Sequence, residues 1–370
     1  MIIIWFTNLE LNRSVLELDN VYDKRDSLWK RIPLYIIVMR KILFLLVILN
    51  QACGIKNYEH WECGIESIKK SFRILDTVLI REVFDPSALY CVGKNFWVVN
   101  RRQSGKVFYK YDSELSFHDS YFSYGRAGNE FVFVDNSLKD GCDTALYLYT
   151  NWFDCTKFSF SERGIAVADN FRILPEVQNN VILLNDSLVF YRALADDKPF
   201  HVYNYMKKEI VCKFGEFPEA PIEIGNDTDR DNVCLCNSVY AATEKKLVAF
   251  YESIPIIRLY DMNTHALVRE IEITDCEKQV VSVDDYYADE NIIYFLMPML
   301  QGNNIYVQYL NKGATASVNE TVLLKMDLNG NIVEKFVLNQ YCPIYTITET
   351  GEFCGISILG GEYYFCKTKL

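Results

Sequence analysis

Residues able to do chemistry are plentiful in this chain but poorly grouped. Asp227, Asp229 and Asp231 stand at the first three ligand positions of a calcium loop. Asn232 then occupies the place where the sharp turn needs glycine, and Ser238 the place where a bidentate glutamate should close the cage. The acidic run therefore reads as a solvated insertion, and neither a metal nor another cofactor is expected. His60, His118, His201 and His265 are isolated from one another, which points to packing or surface roles. The sequence holds no Gly-x-Ser-x-Gly elbow and no His-Glu-x-x-His. Asp196-Asp197 and Asp284-Asp285 are adjacent pairs, and adjacent side chains on a strand face opposite ways. No residue is assigned a catalytic role on this basis.

The 12 cysteines form no Cys-x-x-Cys pair, and none has a histidine at zinc-finger spacing. On one strand, Cys234 and Cys236 would share a face roughly 7 Å apart, too far for an unstrained disulfide. Small buried hydrophobes is the expected role. Cys53 differs. Met39-Arg40-Lys41 gives a basic start, Ile42 to Leu49 an apolar run, and Ala52 a small residue before it. That is the layout of an export signal, and a cysteine at the cut resembles the bacterial lipoprotein signal, in which Cys53 would carry the lipid. Asn50 stands where that motif usually has leucine. A cleaved soluble signal and an uncleaved membrane helix from about Pro33 are the alternatives. The helix is interrupted by Arg40 and Lys41, and its clean apolar run is short of the roughly 20 residues that span a bilayer. The expected organisation is a spurious extension at 1–38, with translation starting at Met39, a signal peptide at 39–52, a linker at 53–70 and one folded domain at 71–370.

The elements that must position any site are strands. Tyr (25) and Phe (23) are abundant and favour half-buried pleated surfaces. Short apolar runs such as Ala88 to Val92, Phe96 to Val99, Val181 to Leu184 and Lys246 to Tyr251 alternate with polar turns, and helix-length crossovers for a parallel sheet are missing. A strand–turn–strand unit recurs, with its turn after Asp112, Asn204, Asp261 and Asp327. Asn329-Gly330 supplies the positive φ that a tight hairpin needs. Asp112 and Asn204 are 92 positions apart, two steps of 46, and later steps of 57 and 66 imply loop insertions. About 300 residues at roughly 45–50 per unit gives a six-bladed β-propeller of four-stranded antiparallel blades, with a pair of β-sandwiches as the alternative.

Two further segments carry a resemblance. Tyr124-Gly125-Arg126-Ala127-Gly128-Asn129-Glu130-Phe131 is similar to a Gly-x-Gly-Pro-Gly-Glu blade junction, with Ala127 and Asn129 departing from it, and Phe214-Gly215-Glu216-Phe217-Pro218 is a Gly-x-aromatic-Pro junction. With the hairpins and the signal, the chain from Ser71 to Leu370 resembles the TolB-like six-bladed propeller lipoproteins of Gram-negative bacteria. The resemblance implies the fold and an export route, and no particular ligand.

In such blades the b–c loops and d–a crossovers share one face, and the tight a–b and c–d turns share the other. The long connections expected on the first face run from Phe214 to Val233, from about Met297 to Glu320, and through Gly125 to Glu130. Arg101, Arg102, Arg126, Glu130, Arg192, Tyr251 and Asn303 form the candidate binding face. Arginines there would either receive a carboxylate or phosphate or pair with the chain's own acids. The net charge of -11 argues against nucleic acid. The expected function is a non-enzymatic binding or scaffold lipoprotein of the cell envelope, periplasmic or on the outer-membrane surface. It would touch the membrane only through its anchor and meet a protein or glycan partner. The alternative is a metal-dependent hydrolase or lactonase with its site in the central channel.

Overall fold

The computed structural model describes residues 58–101, 105–128, 130–135, 138–139, 145–150, 154–161, 164–172, 179–220, 224–277, 286 and 291–370. The extension, the signal peptide, Cys53 and Arg102 lie outside them.

Lys246–Tyr251 shows why these sequences make blades. Its side chains alternate between two faces, and both faces are buried. Val248 and Phe250 pack toward the next blade, with Phe295 and Leu324, while Leu247, Ala249 and Tyr251 pack toward the preceding one, with Phe190 and Phe200. Each such side chain taken from water contributes roughly 1.5–3 kcal/mol. A strand buried on both faces reads as an unbroken apolar run, and stacking such sheets around an axis is what buries both.

Among the described residues, six sheets follow one another along the chain. The first blade is Pro86–Val92, Asn95–Asn100, Lys106–Tyr111 and Phe117–Tyr124. The second is Val134–Asp135, Ala145–Thr150, Asp154–Ser161 and Gly164–Arg172. The third is Asn179–Leu183, Leu188–Arg192, Phe200–Asn204 and Glu209–Phe214. The fourth is Cys236–Ala241, Lys246–Tyr251, Ile256–Asp261 and Ala266–Ile273, and the fifth Ile292–Gln301, Asn304–Gly313, Thr321–Asp327 and Ile332–Leu338. The sixth takes Ile344–Ile347, Glu352–Leu359 and Glu362–Lys369 from the C-terminus. Its outer strand comes from the other end of the chain, closing the ring. This is the all-β six-bladed propeller.

Three strands near the start of the described chain pair along the outer edges of three blades, and the third of them closes the ring: β1 (Glu59–Cys63), β2 (Lys70–Arg73) and β3 (Asp76–Ile80). β1 lies parallel on Ala266–Ile273 of the fourth blade, β2 parallel on Ile332–Leu338 of the fifth, and β3 antiparallel on Glu362–Lys369 of the sixth. The segment expected to be a linker thus contributes β1. His60 Nδ1 stands 3.2 Å from Glu270 Oε1, and Lys335 Nζ donates to Glu66 Oε1 at 2.9 Å, which fastens the wrap to the blades beneath. Parallel pairing, which the sequence did not suggest, also joins Glu130–Phe131 to the first blade and Leu138–Lys139 to the inner strand of the third.

The recurring turn is the c–d hairpin. Asp112 Oδ1 accepts the amides of Glu114 and Ser116, Asn204 Oδ1 that of Lys207, Asp261 Oδ1 those of Asn263 and Thr264, and Asp327 Oδ1 those of Asn329 and Asn331. The corresponding hairpin of the second blade leaves its strand at Ser161 instead, which accounts for the double step of 92. One expected connection needs correcting. Most of the stretch from Met297 to Glu320 is a long a–b hairpin, not a loop. Met297 at φ 50° and Pro298 sit at a bulge, where a strand tolerates proline, and this disguised the strand in the sequence.

Candidate binding rim

Strands alternate in direction from the axis outward, so b–c loops and d–a crossovers share one rim of the ring. Arg101 follows the b strand of the first blade. Its amide donates to the Asp85 carbonyl at 2.8 Å, which leaves the side chain outward, with Nε 3.4 Å from Asp85 Oδ2. Arg126 is exposed in the crossover from the first blade to the second. That crossover is tightened by Glu130, whose Oε2 accepts the Ala127 amide at 3.0 Å. A Cβ on Gly125 would lie 1.8 Å from the same carboxylate oxygen, so glycine there lets the Glu130 carboxylate close over the junction. Glu130 is thus turned inward on its own loop, and Arg126 is held at the loop's tip.

Arg192 and Tyr251 each end a b strand, Arg192 in the third blade and Tyr251 in the fourth, and both are buried, at 2% and 1% exposure. What covers Arg192 is α1 (Asp227–Val233), in the crossover from the third blade to the fourth. The aspartate spacing that suggests a calcium loop builds this helix. Asn226 caps it by accepting the Asp229 amide at 3.0 Å, with acids in the first turn where the helix dipole favours them. The Arg192 guanidinium donates to the Asp231 carbonyl near the helix C-terminus, and Asp231 Oδ2 accepts the Ala195 amide. Cys234 caps the helix rather than continuing a strand with Cys236. Burial pushes the two thiols up, to about 12 and about 11. Tyr251 lies in the core between the third and fourth blades, and burial holds its phenol well above the ordinary range. Asn303 falls in the a–b turn of the fifth blade, on the opposite rim. The expected face therefore resolves into Arg101 and Arg126 outward on the first blade, Arg192 and Tyr251 inside, and Asn303 elsewhere.

The rim also holds residues to which the sequence assigned no site role. In the third blade, His201 Nδ1 is 3.0 Å from Tyr191 Oη, and its Nε2 is 3.3 Å from Asp196 Oδ2, which Lys213 Nζ approaches to 2.6 Å. Burial raises the Asp196 carboxyl, but the hydrogen bond from Lys213 and its neighbours outweigh it and hold the group well below the usual range. Burial lowers His201, with Asp196 opposing. Arg230 of α1 lies 4.2 Å over the Phe217 ring and donates to the Asp196 carbonyl at 2.8 Å, joining the helix to this cluster. Pairing of Tyr191 with His201 across the b–c hairpin was the available signal. On the fifth blade, Ile293, Leu296, Leu310, Val318 and Tyr341, with Lys312 at its edge, line a largely apolar groove of about 270 Å³ on the same rim. Exposed guanidinium groups and a groove suit recognition of acidic and apolar surface, and the half-buried ionic cluster fixes the third-blade loops beside them.

No protein-family profile matches the chain, and no curated protein does. Solved structures do. A member of the DUF4221 family from Bacteroides vulgatus superposes with a TM-score of 0.51 at 10% identity, over 80% of this chain and 99% of its own. A protein of Bacteroides fragilis described as exported gives 0.51 at 11% identity, over 85% of this chain and 100% of its own. At these identities the likeness is one of fold, and in both cases the chain matched is spanned nearly end to end.

Proposed function

We propose that the chain is an exported lipoprotein, held in the cell envelope by Cys53, whose loop-bearing rim meets a protein or glycan partner without catalysing a reaction. The observation that carries this reading is where the chain joins the propeller. β1 starts at Glu59, whose carboxylate receives Arg269, and Arg269 also donates to the Asn329 carbonyl in the c–d turn of the fifth blade. The described chain therefore joins the outer strand of the fourth blade level with Arg269 and runs from the tight-turn side toward the loop-bearing rim. Cys53 precedes Glu59 by six residues, about 20 Å of fully extended chain. A lipid at Cys53 would hold the propeller close to the membrane and leave Arg101, Arg126 and the groove on the rim toward which β1 runs. The description of the Bacteroides fragilis neighbour as exported accords with this route.

The test is envelope fractionation of wild type and Cys53→Ser, followed by cross-linked partner capture with an Arg101→Glu/Arg126→Glu variant. Wild type is expected in the membrane fraction with a diacylglyceryl group on Cys53, and Cys53→Ser in the soluble fraction. The double variant should lose the captured partner. A wild type lacking lipid removes the anchor, and equal capture by the charge-reversed variant removes the face.

A further inference from the structure

Cys342 lies in the crossover from the fifth blade to the sixth. Its backbone is pinned on both sides, with its amide donating to Thr321 Oγ1 at 2.8 Å and its carbonyl accepting from Gln308 Nε2 at 2.6 Å. Cys366 sits in Glu362–Lys369, directly across from Gly355. Opposed residues of an antiparallel pair present their side chains on one face, with Cβ atoms about 4.5–5.5 Å apart. Gly355 has no Cβ, and one built there would come within 2.7 Å of the Cβ of Cys342. Cys342 thus fills the place of the missing side chain and stands beside Cys366. Both belong to one core cluster with Leu338, Tyr345 and Phe353, both are fully buried, and their thiols lie close enough for each to perturb the other's ionisation. Cys354, next to Gly355, points to the other face of the blade, into the cluster shared with Val98 and Phe96.

We infer that Cys342 and Cys366 are a disulfide pair, closed by a thiol–disulfide oxidant acting while the last blade is open to solvent. One protein thiolate attacks the oxidant's disulfide and expels one oxidant thiolate. The second protein thiol, having lost its proton to solvent, attacks the mixed disulfide at the protein sulfur and expels the other. Two protein thiols are oxidised and one oxidant disulfide is reduced to two thiols. The bond closes a loop of 25 residues, both cysteines included, long enough to restrict the unfolded chain appreciably, and ties the C-terminal strand to the crossover that precedes its blade. Persistence of the bond in the cell rests on the export reading; its formation in a redox buffer does not.

The experiment refolds Cys53→Ser protein in a glutathione buffer rich in the oxidised form, alkylates free thiols under denaturing conditions and maps peptides by mass. One cross-linked pair containing Cys342 and Cys366 is expected, about 2 Da lighter than the two reduced peptides combined and abolished by reductant. Reduction should lower the melting temperature by about 5 °C or more in this protein and leave Cys366→Ala unmoved. Cys354→Ala should retain the cross-link. Separate alkylation of Cys342 and Cys366, or cross-linking of either to another cysteine, overturns the inference. If the pair closes in the buffer but is reduced in protein isolated from the cell envelope, the export reading is at fault rather than the pairing.

Discussion

Under α1, the Arg192 guanidinium is almost wholly removed from solvent and ends on a main-chain carbonyl. Truncation there empties a large volume and strands the Asp231 carbonyl, so Arg192→Ala is expected to cost about 2–4 kcal/mol in denaturant unfolding. Lysine, with a point charge in place of a planar fork, should recover less than half of that loss. Arg101→Ala, on the exposed rim, is expected to stay within about 0.5 kcal/mol of wild type in the same assay, since exposed ion pairs are worth little. The two arginines look alike in the sequence, each closing a strand before a polar loop. Only the crossover that folds back over Arg192 separates them, and a contact between residues 192 and 231 leaves no mark on either local segment. Gly125 is the converse case. Its place in a junction was legible as a motif, but the carboxylate five residues on that closes over it was not.

Among elements, the c–d turns are the most predictable part of the fold. Backbone amides hold Asp112 and Asp261 below the usual carboxylate range, led by those of Ser116 and Asn263. In Asp327, burial pulls upward and the hydrogen bonds of Asn331 and Asn329 prevail, so it too is lowered. A folded-state value below the unfolded one means that the stabilisation is full above the unfolded pKa of about 4 and is lost as pH falls through the folded values. Denaturation midpoints should therefore fall below about pH 4, and Asp112→Asn/Asp261→Asn/Asp327→Asn, which keeps the acceptors but cannot titrate, should flatten that fall. In the same turn as Asp327, Gly330 has φ 94° and no room, since a Cβ would meet Ile271 Cδ1 at 2.8 Å. Gly330→Ala is expected to cost about 1–3 kcal/mol, read as a lower melting temperature. The inner strands were legible because burial on both faces demands continuous apolar runs. β1 and β2 were not. They are short and polar, EHWEC and KSFR, and become strands only because the ring offers each an outer edge to pair with.

For the whole ring, β3 is the element on which closure depends, because without it the outer edge of Glu362–Lys369 is left unpaired. A chain starting at Tyr58 should melt like the full-length protein, one starting at Leu75 a few degrees lower, and one starting at Arg81 without a cooperative transition. Circular dichroism melts with size-exclusion chromatography would check the series, and a cooperative transition in the shortest chain would deny β3 its role. Blade number and the repeat were readable from turn spacing, whereas the route of the N-terminus over three blades was not, since it depends on positions more than 200 residues away in the chain. That route has a mechanical side. A pull on the chain from upstream of Glu59 loads β1 first, then β2, and reaches β3 only when both have detached. The two edge strands would act in series as sacrificial links, taking up tension and lengthening the leading chain before the ring itself bears any force.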